Sequence, residues 1–355
     1  MKAAQEFSIG DFRTVDVPVP RPEGEQLLVK ISACGICGSD IPRIFELGTS
    51  KQKYPLTIGH EFGGEIVAAG PGADTALIGK KGAVFPCIPC RKCESCLTAD
   101  YAMCLDYDYL GSRSDGGFAE YCLIPSAWHF VEAKNPDLET ESLSMVEPCT
   151  VAQHAVRKAE IRAGNSVIIF GAGPIGIMAA RWARIFGANP VMMVDVVDEK
   201  AAFARERGEI FTVNGIKQNI LEEFKMINNG FPPDVVIEGT GTGAALGQAI
   251  ECIRTFGTIV LMGNPHKDTT VKLAQHSQIL RKELVLKGMW NSHYAATPIN
   301  EWAYTVKMLD EGKIKVMDLV THRASLDELP KLCEDIYKGR INICKAIYSS
   351  KVQGT

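Results

Sequence analysis

Hydrophobic and polar positions divide the chain into two kinds of text. From Leu27 to about residue 150, short apolar stretches are broken by Gly and Pro, as in LLVKISACGI (27–36), GGEIVAAG (63–70) and GGFAEYCLI (116–124). Short runs between turn residues predict strands, so this region reads as an all-β domain. After Val151 the pattern changes. VAQHAVRKAEI has helical spacing, and SVIIF (166–170) is a continuous apolar run that ends in glycine. Further runs follow at VMMVD (191–195), DVVIEG (234–239), TIVLMG (258–263) and LVLKG (284–288), with helical text such as IMAARWARIF between them. Continuous apolar runs suit strands buried on both faces, and their alternation with helices predicts a parallel sheet. Beyond Trp290 the alternation weakens into a helix at EWAYTVKMLDEG and a last strand at CKAIYSS.

A length of 355 residues exceeds one ordinary core and agrees with two domains. Lys and Arg number 38 against 42 Asp and Glu, a formal charge of −4, so no basic excess points to nucleic acid or an anionic membrane. Small molecules are the expected partners. The start MKAAQEFSIGDF lacks the basic and apolar regions of a signal peptide, and no run of 18 apolar residues follows, so the expected location is the cytoplasm. Twelve Cys in such a compartment are free thiols or metal ligands before they are disulfides.

SVIIF leads into Gly171-Ala172-Gly173-Pro174-Ile175-Gly176 and a helix, and Asp195 ends the next strand. This is the strand, G-x-G-x-x-G turn and helix of a dinucleotide-binding unit. Gly171 makes the tight turn, Gly173 lets a pyrophosphate approach the backbone, and Gly176 lets helix and strand pack closely. Pro174 and Ile175 open a helix whose N-terminus faces the phosphates. Asp195 is placed to bind the adenosine ribose hydroxyls and to repel a 2′-phosphate, which favours NAD over NADP.

Cys90, Cys93, Cys96 and Cys104 set four thiols within 15 residues. Four soft ligands suit a closed tetrahedral structural zinc site; an iron–sulfur cluster is the rival, although the last spacing is longer than in the ferredoxin run. Cys87 is spare. A closed site has no coordination position for substrate, so catalysis needs a second site.

The segments around Cys37-Gly38-Ser39-Asp40, Gly59-His60-Glu61-Phe62 and Val146-Glu147-Pro148 share no periodicity. Taken singly, His60 reads as a core histidine and Glu147 as a surface charge. In this order, and with the cysteine cluster and the glycine turn, they resemble the medium-chain zinc-dependent alcohol and polyol dehydrogenases over nearly the whole chain. The resemblance implies an α/β plus β fold, in which a GroES-like β-barrel catalytic domain (1–152 and 290–355, with a structural zinc lobe at 87–105) is interrupted by a doubly wound Rossmann domain (153–289). The active site would lie in the cleft between them. It also implies two zinc ions per chain and NAD. Cys37, His60 and Glu147 become catalytic zinc ligands, Glu61 a nearby or alternative ligand, Ser39 a proton-relay hydroxyl, and Asp40 the residue that orients His60. Cys149 competes with Glu147 as a donor. Pro42 stands where many relatives carry a relay His, which breaks the later part of that route.

Glu at position 147, where simple alcohol dehydrogenases commonly have Cys, favours a polyol. Within the family, SDIPRIFELG, KYPLTIGHEFGG, YDYLGSRSDGGFAEY and ILRKELVLKGMW resemble galactitol-1-phosphate 5-dehydrogenases. That implies oxidation of galactitol 1-phosphate to tagatose 6-phosphate, with Arg43 and Arg113 as phosphate-binding candidates. The alternatives are an unphosphorylated polyol or L-threonine as substrate, or a zinc-containing nucleotide-sensing protein. A homodimer or homotetramer is expected.

Overall fold

In the computed structural model, which describes residues 1–50, 52–295 and 299–352, the apolar runs of the first region pair mostly antiparallel. Leu27–Gly35 is the hub. It pairs along its length with Glu61–Ala69, through its first half with Tyr121–Ile124 and through its last residues with Lys345–Ser349. Lys81–Val84 and Phe130–Glu132 extend one side, and Val320–Ala324 lies parallel to Lys345–Ser349 on the other. Leu27, Val29, Ile31, Ile44, Phe62 and Phe118 form the centre of its core.

A second small sheet joins Lys2–Ser8, Asp11–Asp16 and Leu56–Thr57. The apolar runs do not single out this hairpin, because its buried positions include the polar Gln5 and Glu6.

The chain divides into two compact units, Met1–Thr150 with His293–Thr355, and Val151–Ser292. The first boundary falls inside the helix Val146–Lys158, which begins before the helical spacing becomes visible because Pro148 is tolerated in a first turn.

The second unit holds a six-stranded parallel sheet in the order Phe211–Asn214, Val191–Asp195, Val167–Phe170, Val235–Glu238, Thr258–Leu261, Val285–Gly288. Five of these strands are the apolar runs. The sixth, Phe211–Asn214, escapes the pattern because Thr212 and Asn214 break its apolar text into single residues. The helix Pro174–Ile185 buries Ile177, Ala180 and Trp182, and Thr242 caps the helix Gly243–Cys252 by accepting the Ala245 N–H. Among the described residues no helix is long and apolar enough to cross a membrane.

Candidate active site, metal centre and nucleotide cradle

Cys37 follows the hub strand, and His60 and Glu61 open its neighbour Glu61–Ala69. One ligand atom from each of the three lies within 4.8 Å of the others, with His60 and Glu61 buried. A thiol, an imidazole and a carboxylate form the mixed donor set that zinc accepts. Glu61 pairs with Lys345, whose ammonium also donates to the Ile36 carbonyl at 3.0 Å. A Cβ on Gly35 would stand 2.1 Å from Glu61 Oε2, so the glycine of A-C-G-I-C makes room for this pair. Burial works against the charge on Lys345, but Glu61, Cys37 and Glu147 outweigh it and hold its pKa above the ordinary value.

Asp40 organises the floor. Its Oδ2 accepts the Cys37 N–H at 2.9 Å, and its Oδ1 accepts Arg43 Nη1 at 2.8 Å and faces His60 Nδ1 at 3.4 Å. Burial alone would raise the Asp40 pKa; His60, Arg43 and the Cys37 N–H overcome it, so the carboxyl stays below its usual range. A carboxylate on one ring nitrogen directs the other toward a metal. Arg43 has a mostly buried side chain and spends one nitrogen on Asp40. Beneath it lies Glu6, fully buried, with neither carboxylate oxygen hydrogen-bonded. Burial pushes the Glu6 pKa up to about 7, with Arg43 opposing and Asp40 adding to the shift.

Glu147 stands in the first turn of its helix and is buried, but it is not part of the tight Cys37–His60–Glu61 set. Its Oε1 accepts the Tyr109 hydroxyl at 3.4 Å. Burial pushes its pKa up to about 7, with His60 acting against and Glu61 adding to the rise. Ser39 is exposed beside Cys37, and Cys149 is buried outside the set. Arg113 donates Nη1 to the Tyr107 carbonyl at 2.8 Å and lies 3.9 Å over the Tyr107 ring.

Cys90, Cys93, Cys96 and Cys104 converge, with Cys90 and Cys96 sulfurs 3.9 Å apart and Cys93 and Cys104 sulfurs also 3.9 Å apart. A zinc–sulfur distance of about 2.3 Å puts the corners of a tetrahedron roughly 3.8 Å apart, whereas a disulfide needs about 2.05 Å. The four thiols therefore fit a metal and are not oxidised pairs. Backbone N–H groups of Leu105 and Cys96 bring the Cys93 pKa down to about 6, preparing a thiolate. Cys87 sits apart, its thiol directed at the Tyr101 carbonyl.

In the second unit Gly171 takes a left-handed φ of +99°, and a Cβ on Gly176 would stand 1.9 Å from the Gly171 carbonyl oxygen, so neither position accepts a side chain cheaply. A Cβ on Gly173 would meet no protein atom within 4 Å, which leaves open space at the first turn of the helix that Pro174 and Ile175 begin. Asp195 accepts the Ala172 N–H at 2.8 Å and the Val197 N–H at 3.0 Å, tying the turn to the next strand. Thr240, beside Gly171, also lines a cavity of about 780 Å³ with His266 and Lys267. This cradle fits a dinucleotide.

Two family models match. One, the alcohol dehydrogenase GroES-like domain, covers residues 23–135, and the other, zinc-binding dehydrogenase, covers 174–311. The chain is 34% identical to galactitol 1-phosphate 5-dehydrogenase of Escherichia coli (strain K12) over 95% of its own length and 96% of the relative's.

This chain belongs to the zinc-binding dehydrogenase family.

The crystal structure of galactitol-1-phosphate dehydrogenase from Escherichia coli superposes with a TM-score of 0.88 at 32% identity, covering 98% of this chain and 100% of that one. Sorbitol dehydrogenase of Bacillus subtilis (strain 168) is 30% identical over 92% of this chain and 91% of its own. A zinc-binding dehydrogenase of Sinorhizobium meliloti 1021, bound to NADP in its crystal, superposes at 0.89 with 28% identity and 98% coverage of both chains. The fold is that of the medium-chain dehydrogenases, a GroES-like domain with a parallel-sheet Rossmann domain, and zinc and NAD(P) are the cofactors of this family.

Three residues around the metal set and its Asp40 support are given no role by the motifs. Lys345 sits in the strand CKAIYSS, where a lysine in a buried strand is the available signal. Tyr109 and Glu6 leave none, since tyrosine is common in strands and Glu6 reads as a surface charge.

Proposed function

We propose that the chain is a zinc- and NAD-dependent dehydrogenase that oxidises a secondary hydroxyl of a sugar alcohol phosphate, galactitol 1-phosphate giving tagatose 6-phosphate. The carrying observation is the donor set Cys37, His60 and Glu61, with the buried carboxylate of Glu147 acting on His60 and Glu61 and, among the described residues, no second thiol in the set. A carboxylate third donor suits polyol chemistry, and the strongest similarity reported above is to a galactitol 1-phosphate enzyme.

Cys37, His60 and Glu147, with Glu61 as the alternate, would hold one zinc, and Cys90, Cys93, Cys96 and Cys104 the other. When bound, the catalytic ion lowers the pKa of a substrate hydroxyl, and NAD accepts the hydride. Asp40 keeps the His60 ring in orientation. Ser39, exposed beside Cys37, relays the released proton by accepting it while passing its own hydroxyl proton to solvent, and Pro42 cannot extend the route. Gly171, Gly173 and the helix from Pro174 receive the pyrophosphate, and Asp195 receives the ribose hydroxyls and excludes a 2′-phosphate. Arg43 and Arg113 keep guanidinium nitrogens beyond those spent on Asp40 and Tyr107, and these hold the substrate phosphate.

An unphosphorylated polyol is the second reading, favoured by those same engagements of Arg43 and Arg113 and by the likeness to sorbitol dehydrogenase. Zinc content, with NAD reduction measured on galactitol 1-phosphate, sorbitol, xylitol and L-threonine, separates them. Preference for sorbitol or xylitol overturns the phosphate assignment, and turnover of none overturns the enzyme. Twelve free thiols suit a cytoplasmic setting, and a homodimer or homotetramer completes the proposal.

A further inference from the structure

Beside the tight set Cys37–His60–Glu61 stands a second buried carboxylate, Glu147, so the centre has more carboxylates at hand than one with an open position can use. Each is restrained by its own donor: Glu61 by the Lys345 ammonium, and Glu147 by the Tyr109 hydroxyl at 3.4 Å. Tyr109 is built to stay where it is. It pairs with Cys87 in a two-stranded ladder, and its carbonyl accepts the N–H groups of Arg113 and Ser114 at 2.9 and 3.1 Å. Its ring meets the His60 ring edge-on with centroids 5.8 Å apart and the Tyr107 ring at 6.1 Å, and Arg113 lies over the Tyr107 ring at 3.9 Å. The phenol is therefore held in place with its hydroxyl 3.4 Å from one oxygen of Glu147.

We propose that Tyr109 is a positioning residue that keeps Glu147 Oε1 occupied, so that Glu147 offers a metal only Oε2 and the fourth position stays free for the substrate hydroxyl. A carboxylate can bind a cation through one oxygen or both. A hydrogen bond on one oxygen biases it toward the first mode, which is how outer partners tune metal centres. Without that bond, Glu147 turns both oxygens inward and competes with substrate. The inference rests on the assignment of Glu147 as a ligand.

The test uses full-length protein with the cysteine lobe loaded with zinc and the other site with cobalt(II), as wild type, Tyr109→Phe and Glu147→Gln. Four-coordinate cobalt(II) absorbs visible light strongly and five-coordinate cobalt(II) weakly. Tyr109→Phe keeps the ring and its packing, so its melting temperature should match wild type. Its visible bands should weaken, and the zinc form should show KM raised about tenfold with a smaller change in kcat. A Tyr109→Phe spectrum identical to wild type, while Glu147→Gln alters it, overturns the role of Tyr109. A Glu147→Gln spectrum identical to wild type removes Glu147 from the metal and overturns the assignment beneath the inference.

Discussion

Glu6 holds its proton to about pH 7 because the folded chain buries both oxygens without a partner. An unfolded Glu releases it near pH 4.3, so between about 4.5 and 7 the folded state binds more protons and stability falls as pH rises. Glu6→Gln cannot ionise and should remove this slope. Urea unfolding from pH 4.5 to 8 should show wild type losing about 2 to 3 kcal/mol relative to the variant across that window; parallel curves would show that Glu6 titrates normally. Asp195 lends itself to a second measurement. Its two accepted N–H bonds orient the carboxylate, and each charge-assisted bond it makes to a ribose hydroxyl is worth about 1.5 to 3 kcal/mol. Asp195→Ala should weaken NAD at least tenfold by fluorescence titration and leave NADP almost unchanged. An unaltered NAD to NADP ratio would remove Asp195 from cofactor choice.

At the scale of elements, legibility followed locality. The glycine turn and the cysteine lobe are closed by neighbours in the chain, so spacing alone exposes them, down to the left-handed Gly171. Phe211–Asn214 is missed because Thr212 and Asn214 interrupt its apolar residues, whereas the other four-residue end strand, Val285–Gly288, follows Leu284 with an unbroken apolar run. The roles of Tyr109 and Lys345 are hidden for a different reason, since they come from Glu147 and Glu61, remote in sequence. The hairpin Lys2–Asp16 hides because it buries Glu6 where an apolar residue would have marked the strand. The lobe also makes a prediction. A structural zinc in a small domain supplies of order 10 kcal/mol of folding free energy, more than the short helix and 3₁₀ turn of this segment hold without it. Cys93→Ser should open residues 87–105 to limited proteolysis and lower zinc by one ion per chain, while NAD still binds. Resistance of that segment in the zinc-free variant would count against a structural ion.

For the whole molecule, the exposed end of the parallel sheet bears on assembly. Val285–Gly288 pairs on one side with Thr258–Leu261, and Val285 and Leu286 are 45% and 37% exposed. An apolar open edge invites another strand, and a second copy with the same edge satisfies both by two-fold symmetry. Light scattering should give at least a dimer, and Leu286→Lys with Val285→Lys should shift it to monomer with the nucleotide cradle intact. A monomeric wild type would rule this edge out.

Lys345 reaches Glu61 across 284 positions of chain. During synthesis, at about 5 to 20 residues per second, Cys37, His60 and Glu61 leave the ribosome long before their counter-ion is made. The Val151–Ser292 unit is translated in that interval, so the residues of the nucleotide cradle are made before the ammonium that neutralises Glu61. The strand Lys345–Ser349 therefore acts as a timer: the Cys37–His60–Glu61 set stays short of its ammonium until Lys345 itself has been made.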